Sequence, residues 1–191
     1  MPSGRTEAFS DAVIAILITI MVLELKIPHE TTWAALRGAL PSLLSYVLSF
    51  IYVGIYWNNH HHLLQACRRV TGSVLWANLH LLFWLSLLPF ATRWMGNNHL
   101  APLPSVAYGL VLLASAIAYW LLQRRIIAAD GSASVLRHAL GGDWKGKLSP
   151  LLYLAGIGAT LADARLGQAL YALVALLWLI PDRRIEHELE H

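Results

Sequence analysis

Between Arg5 and Lys26 lie 20 residues, and from Ala12 to Leu23 every one of them except Thr19 is apolar. As a helix that stretch is about 30 Å long, the thickness of one bilayer core. Lys26 and Pro28 close it off. Asp11 nevertheless sits inside it, about 9 Å along the axis from Arg5. An ionised carboxylate at that depth costs a few kcal/mol on insertion scales of about 2.5–3.5, so it needs a partner and an orientation away from lipid. A spanning helix with a polar start and an aliphatic continuation constrains everything after it.

The rest of the chain agrees with a membrane setting. Only 13% of its 191 residues are charged and 57% are hydrophobic, against about 25% charged in a soluble domain. Mean hydropathy is +0.54. The net charge of +3 is read as basic loops of a membrane protein and not as nucleic-acid binding. Cys67 stands alone, which excludes an intramolecular disulfide. The polar start and the lack of a small-residue cleavage site argue against a signal peptide. Leu189-Glu190-His191 read either as native residues or as the start of a purification tag.

Six apolar segments are expected, in one domain over residues 1–191. They run from about Arg5 to Lys26, Leu36 to Asn59, Thr71 to Met95, Pro104 to Gln123, Leu148 to Ala162 and Leu166 to Pro181. The last two are short for a span of about 20 residues. Asp163-Ala164-Arg165 makes them a hairpin, with a pair of interfacial or re-entrant helices as the other reading. With the N-terminus in the cytoplasm, the inside segments hold Arg5, Arg68, Arg69, Arg124, Arg125, Arg137, Lys145, Lys147, Arg183 and Arg184. The outside ends hold Lys26, Arg37, Arg93 and Arg165. Ten against four is a positive-inside bias, and it places both termini in the cytoplasm of a cell inner-membrane protein. Most tryptophans fall near segment ends, as an aromatic belt would; Trp84 is expected between helices. Pro89 is expected to kink the third segment, with Ser86 or a neighbouring helix meeting the freed carbonyl. Ser134 to Leu140 reads as a short amphipathic helix and Asp143 as a helix N-cap. No inverted repeat, Walker motif or dinucleotide fingerprint is visible.

Helical periodicity divides the first segment. Taking Ile16 as zero, Arg5, Phe9, Ala12, Thr19, Ile20 and Leu23 all project within about 60° of it, while Ser10 and Asp11 lie about 120° and 140° away. Ordinary aliphatic packing would explain such a stripe in most membrane helices. Asp11 reads as scaffold, paired with Arg5 or with an imidazole. Tyr56-Trp57-Asn58-Asn59-His60-His61-His62 ends the second segment. Three adjacent imidazoles point about 100° apart on a helix and cannot share one ion. Interhelical hydrogen bonding is the better reading for Trp57, His60 and His61, with one of the imidazoles placed to meet Asp11 or Ser10. Asn78 and His80 are further interhelical candidates. No metal ligand set is assigned.

Arg5-x-x-x-Phe9-Ser10-Asp11 at the start of a first membrane helix resembles the signature of the transmembrane-protein-175 potassium channels. Tyr56-Trp57-x-x-His60-His61 and Pro89-Phe90 are similar to that family's pattern as well. The resemblance implies an all-α integral membrane protein with six transmembrane helices per subunit. It implies a homotetramer whose first helices form a central pore, with no cofactor and with potassium as the permeant ion. Ile16, Thr19, Ile20 and Leu23 match the pore-facing positions, and Arg5, Phe9, Ser10 and Asp11 match the motif that holds the pore helix. Weak to moderate potassium selectivity is then expected, since no carbonyl cage replaces the hydration shell. An exposed ring of Arg5 would repel cations unless Glu7 or Asp11 neutralises it. Two rival readings remain: a proton or non-selective pore of the same architecture, and a histidine-metal membrane enzyme.

Overall fold

The computed structural model describes residues 3–139 and 144–179. Among them all regular structure is helical: α1 (Gly4–Leu23), α2 (Trp33–Gln65), α3 (Gly72–Ser86), α4 (Leu88–Asn97) and α5 (Pro102–Asp130), then a 3₁₀ turn at Gly131–Ala133, α6 (Val135–Ala139), α7 (Trp144–Ala162) and α8 (Ala164–Leu179). Four units are long and apolar enough to cross a membrane: α1, α2, α3 with α4, and α5. α8 is apolar but shorter. The chain is thus a multi-helix membrane protein. Arg183, Arg184, Asp143 and the end of the sixth expected segment lie outside the described residues.

Local chemistry sets the boundaries. Thr32 and Thr71 cap α2 and α3, each accepting the amide three residues on (Ala35 and Val74). The third expected segment is two helices. Pro89 has no N–H to donate, so the α-helical ladder cannot continue through it. The chain breaks at Leu87, whose amide turns back to the Trp84 carbonyl at 3.2 Å. Ser86 donates to the Phe83 carbonyl at 2.7 Å. Trp84 is partly buried against the core, its indole donating to His80 on the same helix at 2.9 Å. α2 and α5 run well past the expected ends at Asn59 and Gln123, so the histidines and Arg124-Arg125 are helical. α6 forms where the short amphipathic helix was expected.

The subunit has an inside and an outside layer. The α3–α4 and α5 spans are each 50% buried, against 28% for α1 and 22% for α2. Leu81, Leu85, Leu88, Tyr108 and Leu112 are wholly buried at the centre. α1 rests on α2, α3 and α4, and α7 and α8 pack as a hairpin against α5. Bare backbone permits that closeness. A Cβ on Gly167 would run into the Thr160 hydroxyl, and one on Gly109 into the Tyr171 hydroxyl.

Hydroxyls tie the helices together where water cannot. Ser49 on α2 bonds Thr92 of α4 at 2.6 Å and Tyr108 of α5 at 3.0 Å. Tyr52 donates to the Tyr171 carbonyl of α8 at 2.5 Å. At the other level, the Asp130 carboxylate accepts the backbone amides of Arg68 and Arg69 at 3.3 and 3.1 Å, pinning the α2–α3 turn to the end of α5.

Candidate functional site

The two faces of α1 have separate surroundings. Ile14, Leu17 and Met21 are buried in the subunit, at 1%, 5% and 2% exposure. Ile16, Ile20 and Leu23 are 55%, 40% and 81% exposed. Thr19 is exposed too, and its hydroxyl turns back to the Ile16 carbonyl at 2.8 Å. Arg5 and Phe9 lie on the same open side. Among the described residues, none buries this line of side chains, which stays open along the helix.

The first half of α1 is anchored from behind. Ser10 is fully buried. Its hydroxyl donates to the Thr6 carbonyl at 2.8 Å and accepts from Asn78 Nδ2 of α3 at 2.9 Å. Asn78 Oδ1 then faces His60 Nε2 of α2 at 2.7 Å. Because that oxygen only accepts, His60 carries its proton on Nε2. Its Nδ1 is left buried without a partner among the described residues. The series His60–Asn78–Ser10 therefore runs through three helices, and each member depends on the next.

Three further contacts secure the same end. Trp57 Nε1 donates to Asp11 Oδ1 at 3.1 Å. His61 Nδ1 meets Glu7 Oε1 at 2.6 Å, and Gln65 faces His61 Nε2 at 2.9 Å. Asp11 therefore takes an indole and not the imidazole or Arg5 expected. The physical reason is reach: Trp57 lies one helical turn before His60 and His61, level with Asp11, while His61 is occupied by Glu7. Among the described residues neither acid pairs with Arg5, so the neutralisation expected for it is not seen within one subunit. His80 turns to Trp84 on its own helix and does not join α3 to a neighbour.

At the far end Glu24, just past α1, pairs with Arg93 of α4. The sequence reading placed Arg93 at an outside segment end, considered Glu7 only as a counter-charge for Arg5, and passed over Glu24 and Asp130. The one signal available was that an acid next to an apolar run needs a cation or donor close by.

The comparisons with known proteins bear on this geometry. A family model described as "Endosomal/lysosomal potassium channel TMEM175" matches residues 5–89. A potassium channel of Chryseobacterium sp. (strain P1-3) is 54% identical over 190 residues, covering 100% of this chain and 99% of that protein. The chain belongs to the TMEM175 family. A potassium channel of Streptomyces collinus is 32% identical, covering 92% of this chain and 91% of its own. The fold matches the crystal structure of a lysosomal potassium-selective channel TMEM175 homolog from Chamaesiphon minutus, with a TM-score of 0.81 and 27% identity. That match covers 94% of this chain and 97% of the other. The stretch matched by the TMEM175 model runs from α1 to the start of α4. It holds Ser10, His60 and Asn78, the three linked polar residues.

Proposed function

We propose that four copies of this chain form a potassium-permeable cation channel, with one α1 from each around a central pore. The chain is a channel and not an enzyme, as its family membership and its relatives' names indicate. In this reading Ile16, Thr19, Ile20 and Leu23 face the ions, while Arg5, Phe9, Ser10 and Asp11 hold the helix. The observation that carries it is the uncovered aliphatic line on α1, opposite a face fixed by buried hydrogen bonds. A spanning helix facing lipid would not need such anchoring, whereas a pore helix must keep its rotation against the ion path.

Six crossings follow from α1, α2, α3 with α4, α5, α7 and α8. α7 has 19 residues and α8 has 16, or about 28 and 24 Å of helix. A slightly thinned bilayer accommodates both. The even count puts both termini on one side, and the basic loops make it the cytoplasmic side of the inner membrane.

A ring of four Ile16 side chains leaves an apolar constriction that dewets or strips part of an ion's hydration shell. Such a ring discriminates between cations less than a carbonyl cage does. Reversal potentials of the purified protein in bilayers, under opposed potassium and sodium gradients and then a proton gradient, test this. Potassium preference over sodium by a modest factor is expected. A reversal potential that follows only the proton gradient establishes the proton pore in its place.

A further inference from the structure

At the end of the bundle where α1 stops, a cavity of about 270 Å³ opens between the chain leaving α1, the first turns of α2 and the end of α4. Its size falls just below the about 300 Å³ at which small-molecule sites begin. Small residues make the room. Gly38 and Ala39 line it from α2, and a Cβ on Gly38 would meet nothing within 4 Å. Ile27 and Pro28 give it one apolar side.

Four side chains from four segments bring hydrogen-bond donors to this space. Lys26 comes from the α1–α2 connection, Ser42 from α2, Asn97 from the end of α4 and His99 from the α4–α5 turn. Neither the Lys26 ammonium nor the His99 imidazole has a side-chain partner among the described residues. Asn97 Oδ1 accepts from Ser42 Oγ at a long 3.5 Å, which leaves the Asn97 Nδ2 hydrogens without a partner among the described residues. No acid is among the lining residues. The backbone adds an independent sign. His99 and Leu100 have φ of +50° and +63°. Glycine makes such a turn after a helix without strain, and non-glycine residues held in it cluster at functional sites. Here the strained turn sets an imidazole on the cavity wall, and Gln168 Nε2 of α8 fixes it by donating to the Leu100 carbonyl at 3.3 Å.

We propose that this cavity binds a phosphate group, either free or borne by a lipid headgroup. Lys26 supplies the charge, and Asn97 Nδ2, the His99 N–H and the Ser42 hydroxyl supply the remaining donors. Donors arriving from four separate segments suit a tetrahedral oxyanion better than a flat carboxylate. The bound phosphate bridges the chain leaving α1 to the turn leaving α4. The site is built by one subunit and holds whether or not α1 lines an ion path.

Isothermal titration calorimetry of the full-length protein in detergent, at fixed potassium concentration, tests it. Inorganic phosphate, dihexanoyl phosphatidylglycerol and succinate are separate additions. Saturable binding of inorganic phosphate, one per subunit, is expected; binding of the phosphatidylglycerol alone, with the same response to the variants, assigns the phosphate to a headgroup. Lys26→Gln should weaken the binding about tenfold. Gly38→Trp, which fills the cavity, should abolish it. Lys26 is exposed, so its variant keeps the fold and decides should Gly38→Trp lose helical signal by circular dichroism. No saturable binding of either phosphate compound, succinate binding as tightly as phosphate, or unchanged binding in Lys26→Gln or in folded Gly38→Trp overturns the proposal.

Discussion

Asp11 is held by a single indole donor, and its position explains how a carboxylate survives at the edge of a bilayer core. Trp57 meets one oxygen, and the side chain is only partly buried. Hydrogen bonds to charged groups contribute about 1.5–3 kcal/mol. Asp11→Ala should therefore destabilise the folded protein by about 2 kcal/mol, seen as a lower yield of assembled protein on size exclusion, while the reversal potential stays where it was. Asn78→Leu should cost more, because it strands Ser10 and His60 together in a dry interface. Its thermal midpoint in detergent should fall below that of Ser10→Ala, which leaves the His60–Asn78 bond in place. The presence of polar groups at Ser10, Asp11, His60 and Asn78 was legible in the chain, since each interrupts an apolar run. Who bonds to whom was not. Ser10 and Asn78 are 68 residues apart, and no local pattern records the rotation of one helix against another.

Among the elements, α1 was the most legible, because a period of about 3.6 residues separates its two faces without any knowledge of neighbours. The split between Ile14, Leu17 and Met21 on one side and Ile16, Ile20 and Leu23 on the other follows that period. Helix ends were read less well. The sequence expectation stopped α2 and α5 at the edge of the apolar run, but polar residues continue a helix once it leaves the membrane. Pro89 was recognised as a disturbance, and its effect is stronger than a kink because the break falls at Leu87. The α7–α8 hairpin depends on missing side chains. Gly167→Leu would drive a branched group into Thr160 across the interface, where overpacking costs about 1–3 kcal/mol or more. The variant should express at a fraction of the parent level and lose helical signal on mild heating. Gly158→Leu, where a Cβ meets open space, should behave like the parent.

For the whole molecule, the central claim is that the uncovered line on α1 is the wall of an ion path. Replacing Ile16 with Asn should hydrate the constriction, raising single-channel conductance or loosening ion preference. A more direct measurement places single cysteines along α1 in a Cys67→Ser background and adds a water-soluble thiol reagent during recording. Cys67 itself is buried, and that burial pushes its thiol up, with the Asp130 charge acting in the same direction. The account predicts current block at positions 16, 20 and 23 and none at 14, 17 and 21. Block at the second set, or at none of the six in a conducting channel, would contradict it.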